Sequence, residues 1–425
     1  MTLADWDIQA ASADGGLAST LDIVKTGWGV DASEMKAAIV MVGAADVVDT
    51  PVTHGNLSIG VTDGSTDGSI SLVSGSGSTS ASGGLFSRGG TSRLGCLMTP
   101  GSSSILGSFT LDSFIDDGLR LSIDDLYSPD DYIHTALMFA GDLDADVRLV
   151  TAAGDVDTGF KPDLCVVLSL MSLPMDDTAH AFNVITVGAF AEVDGVTETC
   201  SINYSAVWTD FDVLACNSIL SSQYVANLMS NGTIFDTNVP TILPSGYRLS
   251  QAGVWDCVVL ALRGRNRKMD CRCRTVPAGP QGDSGVKVRG GAVTPIARML
   301  GGVLVAGDDT LRSNRLAGAF GLGFHTAADA FYAGFKESDG AGTTASQSIT
   351  ADQALWQIGY GLLGTPGAAL NYKADKSSPP FGWDFSALDW EAFNQSHMQR
   401  IMDVTIGKGP ATIVRGGRLF GGRIY

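Results

Sequence analysis

The chain has 425 residues, 44% of them hydrophobic and only 17% charged, with 53 glycines and 14 prolines. That length suits about three domains of roughly 100–200 residues each, and a glycine-rich, low-charge chain of short apolar runs points to an all-β protein. A net charge of −18 repels phosphate backbones, which argues against nucleic acid as a general partner, and no apolar run reaches the ~18–20 residues that span a bilayer.

Residues 1–19 read as an N-terminal segment. "MTLADWDIQ" has neither a basic n-region nor an apolar h-region, so no secretory signal is read and folding in the cytoplasm of the producing cell is expected. From residue 20 the sequence repeats itself. Gly118-Leu-Arg-Leu-Ser122 recurs as Gly246-Tyr-Arg-Leu-Ser250 and again as Gly382-Trp-Asp-Phe-Ser386, 128 and then 136 residues on. Three nearly even occurrences mark an internal repeat.

The flanks repeat as well. Upstream of each string stands a Gly-bearing turn and an apolar strand: "TGWGVDASEMKAAIVMVG", "TGFKPDLCVVLSL" and "RGGAVTPIARMLGGVLVAG". Gly-punctuated strand pairs follow ("HGNLSIGVTDG", "HAFNVITVGAFAEVDG", "NRLAGAFGLGFHTAADAFYAGF"). Closing strands come last ("HTALMFAG", "DCVVLALRG", and more loosely "MQRIMDVTIGKG"). The modules are therefore placed at 20–147, 148–264 and 286–408, with a basic connector at 265–285 and a C-terminal arm at 409–425.

Alternation in "SFTLDSF" and "GLRLSI" is that of half-buried strands, and Asp-Gly and Asn-Gly pairs punctuate them. The expected fold is all-β: three tandem jelly-roll-like β-sandwich modules. Minor helix is expected in "SSQYVANLM" and "DWEAFNQSHMQRIMDV".

Modules that open with T-G-F-x-P-D and close with an apolar strand and Gly resemble the tandem β-sandwich modules of tailed-phage virion proteins. The second copy carries the resemblance best ("TGFKPDLCVVLS", "SGYRLS", "VVLALRG"). It implies a structural protein of the tail or capsid, with no catalytic residues to carry over and no cofactor expected.

Other signals have plainer readings. "GPQGDSGVKV" around Ser284 and "DTAHAF" around His180 are similar to the serine and histidine segments of trypsin-like proteases. However, Val286 stands where that motif has Gly, and His54 in module 1 matches His180 without any G-D-S-G beside it. Ser284 is expected to be uncatalytic. His134, His325 and His397 are isolated. Asp142, Asp144 and Asp146, like Asp130 and Asp131, lack the glycine and terminal Glu of a Ca²⁺ loop and are read as solvated. The seven cysteines are odd in number, mostly within apolar runs, and read as buried thiols. "CRC" at Cys271 to Cys273 has the wrong spacing for a zinc or redox motif. "SGSGSTSASGG" from Ser74 to Gly84 is low-complexity loop.

One charge feature stands out. Arg263, Arg265, Arg267, Lys268, Arg272 and Arg274 are six of the chain's 27 basic residues, packed into twelve positions. Module 1 ends with the opposite sign: Asp112, Asp116, Asp117, Asp124, Asp125, Asp130 and Asp131. The two runs suggest a subunit contact. The expectation is a non-enzymatic, surface-exposed phage virion protein, a tail fibre or receptor-binding component. It would be homo-oligomeric (a trimer first), in contact with other virion proteins and with a host-surface glycan as candidate receptor. A capsid decoration (cement) or head-fibre protein is the alternative, and a carbohydrate-binding surface protein or hydrolase the further one.

Overall fold

In the computed structural model, residues 5–14, 19–44, 55–74, 85–99, 104–124, 132–170, 173–180, 183–208, 214–230, 233–250, 256–277, 295–303, 312–314, 317–326, 329–338, 345–349, 362–363, 372–373 and 400–408 are described. The fold is all-β. Among the described residues the one helical element is a 3-10 turn, Ala32–Glu34.

The first module runs through β1 (Asp7–Asp14), β2 (Thr20–Val24), β3 (Met35–Ala44), β4 (Gly55–Thr62), β5 (Asp67–Ser74), β6 (Leu85–Gly90), β7 (Gly95–Met98), β8 (Ile105–Ile115), β9 (Gly118–Asp124) and β10 (Tyr132–Ala140). Its large antiparallel sheet has the order β1-β10-β3-β4-β5-β6, and the small sheet facing it β2-β9-β8-β7. The first two and last two strands wrap between the sheets as in a jelly roll, while β3 to β6 form a meander.

The second module has β11 (Leu143–Val150), β12 (Gly154–Asp157), β13 (Leu164–Ser169), β14 (Ala179–His180), β15 (Asn183–Val193), β16 (Val196–Trp208), β17 (Leu214–Ser221), β18 (Ala226–Ser230), β19 (Thr233–Asn238), β20 (Pro240–Leu243), β21 (Gly246–Leu249) and β22 (Cys257–Gly264). The third has β23 (Met269–Pro277), β24 (Pro295–Val303), β25 (Arg312–Asn314), β26 (Ala317–Thr326), β27 (Ala330–Ser338), β28 (Ala345–Ile349), β29 (Leu362–Leu363), β30 (Tyr372–Lys373) and β31 (Arg400–Lys408).

Their large sheets read β11-β22-β13-β15-β16-β17 and β23-β31-β24-β26-β27-β28. This is the same order three times: opening strand, closing strand, then a meander. The small sheets match as well. Gly118 opens β9 opposite Val24, and Gly246 opens β21 opposite Asp157. A Cβ on Gly118 would lie 2.2 Å from the Ile23 carbonyl oxygen, and one on Gly246 1.9 Å from that of Val156. No side chain fits so near a neighbouring backbone. Arg120 and Arg248, two residues on, each pair with an Asp directly opposite, Asp22 and Asp155. Gly382 lies outside the described residues.

The three modules are not strung out in a line. One face of each large sheet lines a single shared core: Ile39, Leu57 and Leu137 from module 1, Val166, Val187 and Leu260 from module 2, and Met299, Leu322 and Val404 from module 3. The large sheets are thus the walls of a three-sided prism. In modules 1 and 2 the other face of the wall belongs to its own sandwich, through Val40, Leu121 and Met138 in module 1 and Val167, Tyr247 and Val259 in module 2. Two walls are extended by a strand from the following module. β14 of module 2 pairs with β6, and β25 of module 3 pairs with β17. These added strands cover edges that would otherwise be open to other chains.

Three expectations are corrected. Residues 1–19 are not outside module 1, because Asp7–Asp14 pairs along its length with β10. Module 2 starts at Leu143, and the connector is not a linker, since Met269–Pro277 is the opening strand of module 3 on β31. Each opening strand meets its partner over 100 residues later, so its own flanks do not reveal it. Nor is "SSQYVANLM" a helix, since Ala226–Ser230 is a strand; of "DWEAFNQSHMQRIMDV" only the end is described, and it belongs to the strand Arg400–Lys408, while 389–399 lie outside the described residues. In β31, Met402, Val404 and Ile406 alternate into the shared core, a period of two rather than 3.6.

Candidate functional site

At one end of the prism all three opening strands begin and all three closing strands finish. Asp7 lies opposite Ala140, Leu143 opposite Gly264, and Met269 opposite Lys408. The chain crosses from module to module here, and five of the six basic residues singled out above have acidic partners here or on the adjoining wall.

Asp144, on β11, takes both Arg263 and Arg265, with each Nε 2.7 Å from a carboxylate oxygen. Burial pushes the Asp144 carboxyl up, but the hydrogen bonds from Arg265 and Arg263 outweigh it and leave its pKa lowered. Arg263 also lies over the Phe160 ring, 5.1 Å from its centroid. Asp163, the last residue of "TGFKPD", is buried. Its Oδ2 accepts the backbone N–H groups of Gly264 (3.2 Å) and Met269 (3.1 Å), and Lys268 stands 3.4 Å from Oδ1. The carboxylate thus clasps both ends of the turn between modules 2 and 3. Burial pushes its pKa up to about 6 against the pull of Lys268 and those two N–H groups.

Arg272 pairs with Glu198 of module 2 (3.3 Å), and Arg274 reaches toward the buried Asp403 (3.9 Å). Only Arg267 extends an exposed side chain with no acidic partner among the described residues. Its backbone carbonyl accepts the indole N–H of Trp6. Trp6 is fully buried and lies under Lys408, which is 3.2 Å from Asp5. Arg265 N–H donates to the Asp142 carbonyl (2.9 Å), tying one crossover to the other.

A groove of about 400 Å³ opens beside these residues, between modules 1 and 2, lined by Lys36, Gly141, Asp142, Asp144, Phe160 and Arg265.

Among the described residues the acidic run does not meet the basic one. Asp116 and Asp117 accept the backbone N–H groups of Ala32 (2.9 Å) and Val30 (2.7 Å), which fixes the approach to β3. Asp112 lies on β8 and Asp124 ends β9, while Asp125, Asp130 and Asp131 lie outside the described residues. Ser284, His54 and His397 lie outside them too. His180 sits on β14, opposite Ser87 of module 1, with its ring 3.4 Å from the Thr178 hydroxyl. Its position is that of a residue in an inter-module strand. His134 is buried on β10, with its ring edge-on to Phe109, and burial lowers its pKa to about 3.

Asp144 takes two arginines and Asp146 one, and no metal-binding group of three or more side chains occurs among the described residues. Cys96, Cys165, Cys200, Cys257, Cys271 and Cys273 are free and buried.

Asp144, Asp163, Glu198 and Trp6 are the residues that the sequence reading did not assign to this site. Asp163 ends the quoted "TGFKPD" and Asp144 belongs to the acidic group with Asp142 and Asp146, but nothing local says which arginine a carboxylate will meet. No protein family matches the chain. No match is found among curated proteins or solved structures either.

Proposed function

We propose that the chain is a non-enzymatic structural protein of a tailed-phage virion, displayed on the particle as a tail-fibre or receptor-binding component. The observation that carries this reading is the threefold use of one large sheet, with one strand order, around one core. A rigid body of this kind holds its connecting loops in fixed positions, as an adhesive surface requires. The motifs that resemble virion modules coincide with its walls: "TGFKPDLCVVLS" leads into β13, and "VVLALRG" is β22. A capsid decoration protein is the neighbouring reading and uses the same features.

Assembly is part of the proposal. Three large sheets around a common core already stand within one chain, so the contact to be sought is between whole prisms, or between the prism and other virion proteins. Arg267 is the basic residue best placed for it. Mass spectrometry of purified virions tests the reading. The chain is expected at structural stoichiometry, and its absence from intact particles overturns the proposal.

A further inference from the structure

We propose that the prism opens at one seam, between modules 3 and 1, where the walls part with their own strand pairing intact before any wall unfolds. All three seams are packed with apolar side chains of the shared core. They differ in what else holds them. The chain itself joins modules 1 and 2 through Gly141 and Asp142, and modules 2 and 3 through residues 265–268. Each of these seams also carries backbone pairing between modules: Ala179–His180 on β6 in the first, Arg312–Asn314 on β17 in the second. Asp177 N–H donates to the Gly89 carbonyl (2.8 Å) at the first, and the Asp163 carboxylate grips the turn at the second.

The third seam is built differently. The chain does not cross from module 3 to module 1, and among the described residues no strand of one pairs with a strand of the other. β28 ends wall 3 with β27 as its described neighbour, although it packs against β3 and β4 of module 1. Side chains span this seam. β1 packs against β24, β26 and β27, Lys25 pairs with Asp329, and Lys408 meets Asp5 (3.2 Å) and the Trp6 ring (5.3 Å). The side chains of both ion pairs are 22–30% exposed, so water and salt screen them.

Topology then decides which seam gives way. Modules tethered by a short crossover meet again at high effective concentration, so a brief opening between them recloses. Opening them also breaks backbone hydrogen bonds of the added strand. Between modules 3 and 1 there is no short crossover, and apolar packing is lost without any described strand pair coming apart. Sub-global opening follows the boundary with the fewest such ties.

Alkylation of thiols in the full chain, followed peptide by peptide by mass spectrometry below the thermal transition, tests this. Ala333→Cys places a reporter in the shared core on β27, which packs against β3 and β4. Cys200 on β16 and Cys273 on β23 are controls, buried in the same core where modules 2 and 3 meet, and Cys165 is the control inside module 2. The reporter is expected to react about tenfold or more faster than all three. Lys25→Ala should speed the reporter about two- to fivefold and leave the controls unchanged. An unchanged thermal transition shows that Ala333→Cys is folded; if the transition falls, Ala10→Cys on β1 reads the same seam from module 1. Equal rates at reporter and controls would mean that the prism unfolds as one unit, and would overturn the proposal. Faster reaction of Cys200 and Cys273, or equal acceleration of every thiol by Lys25→Ala, would overturn it as well. None of these outcomes bears on the virion reading, which depends on the particle.

Discussion

The two faces of each prism wall have followed different rules. The inner faces are alike in all three modules, apolar residue upon apolar residue, because each packs against the other two. The outer faces differ. In module 1 the wall presents Ala38, Val40 and Met138 to its own sandwich, and in module 2 Cys165, Val167 and Val259. In module 3 the same face carries Arg298 on β24 and Asp403 and Thr405 on β31, all fully buried. A shared core allows little divergence, since a change in one wall strains two others. The outer face allows more, even a buried ion pair.

That pair gives the largest expected effect. Arg298 Nη2 lies 3.5 Å from Asp403 Oδ2, and Thr405 donates to Oδ1 at 2.8 Å. Removing the carboxylate takes from the buried Arg298 its ion-pair partner, so Asp403→Ala should lower stability by about 3–5 kcal/mol. Replacing both, as Arg298→Met with Asp403→Leu, gives module 3 the apolar outer face of its siblings and should recover most of that loss. Urea unfolding of the three proteins measures this. A double variant no more stable than Asp403→Ala would show that the charge on this face is required by more than the pair itself.

Two buried groups, His134 in module 1 and Asp163 at the joint that follows module 2, respond oppositely to acid. His134 in module 1 is buried neutral, with a pKa near 3 in the fold against about 6.5 unfolded. The unfolded chain binds a proton that the fold refuses, so this group removes stability as pH falls from 6.5 toward 3. Asp163 is raised to about 6 from 3.8, so the fold takes its proton first and gains stability as pH falls from 6 to 3.8. The two nearly cancel between pH 6 and 4. Stability measured against pH should therefore steepen toward acid in Asp163→Asn, by about 2–3 kcal/mol across that window, and flatten or reverse in His134→Phe. Identical pH profiles for wild type and both variants would refute both assignments.

Equivalent turns give an intermediate effect. Gly118→Ala and Gly246→Ala should each lose about 1–3 kcal/mol, since the added methyl meets a carbonyl oxygen of the paired strand. Thermal denaturation of Gly382→Ala then extends or breaks the equivalence: a loss of the same size places the third string with the other two, and a neutral result removes it.

These repeated strings show what the sequence made legible. The walls could be read because each is a continuous apolar run or a strict alternation. The strands that link modules could not. In β23, Met269, Cys271 and Cys273 enter the shared core while Asp270, Arg272 and Arg274 alternate with them. The period of two is present, but the five basic residues from Arg263 to Arg272 give the segment the composition of a solvated, charged linker. In β1 the alternation of Ile8 and Ala10 with polar neighbours is weak, and β10, its partner, is some 125 residues away in sequence. The same limit hid the site. Which carboxylate meets Arg265 is decided by two crossovers meeting at one end of a prism, and a single repeat does not contain that information.

The smallest effect concerns the basic run itself, and it separates charge that builds the prism from charge that faces outward. Asp144, Asp163, Glu198 and Asp403 occupy five of the six basic residues. Replacing those five by Ser should disturb the joints between modules 2 and 3, and would confuse folding with assembly. Arg267 is different. Its side chain is exposed, and its structural contribution is a backbone carbonyl that any residue supplies. Arg267→Ser should leave the unfolding transition where it is. Exposed charge pairs contribute about 0–1 kcal/mol each and are screened by salt. Any loss of assembly should therefore be modest, largest at low ionic strength, and absent at high. Light scattering of wild type and Arg267→Ser across a salt series reads this directly. If the two proteins associate identically at low salt, the basic run serves the interior of the prism alone, and contact between copies has to be sought on the acidic face.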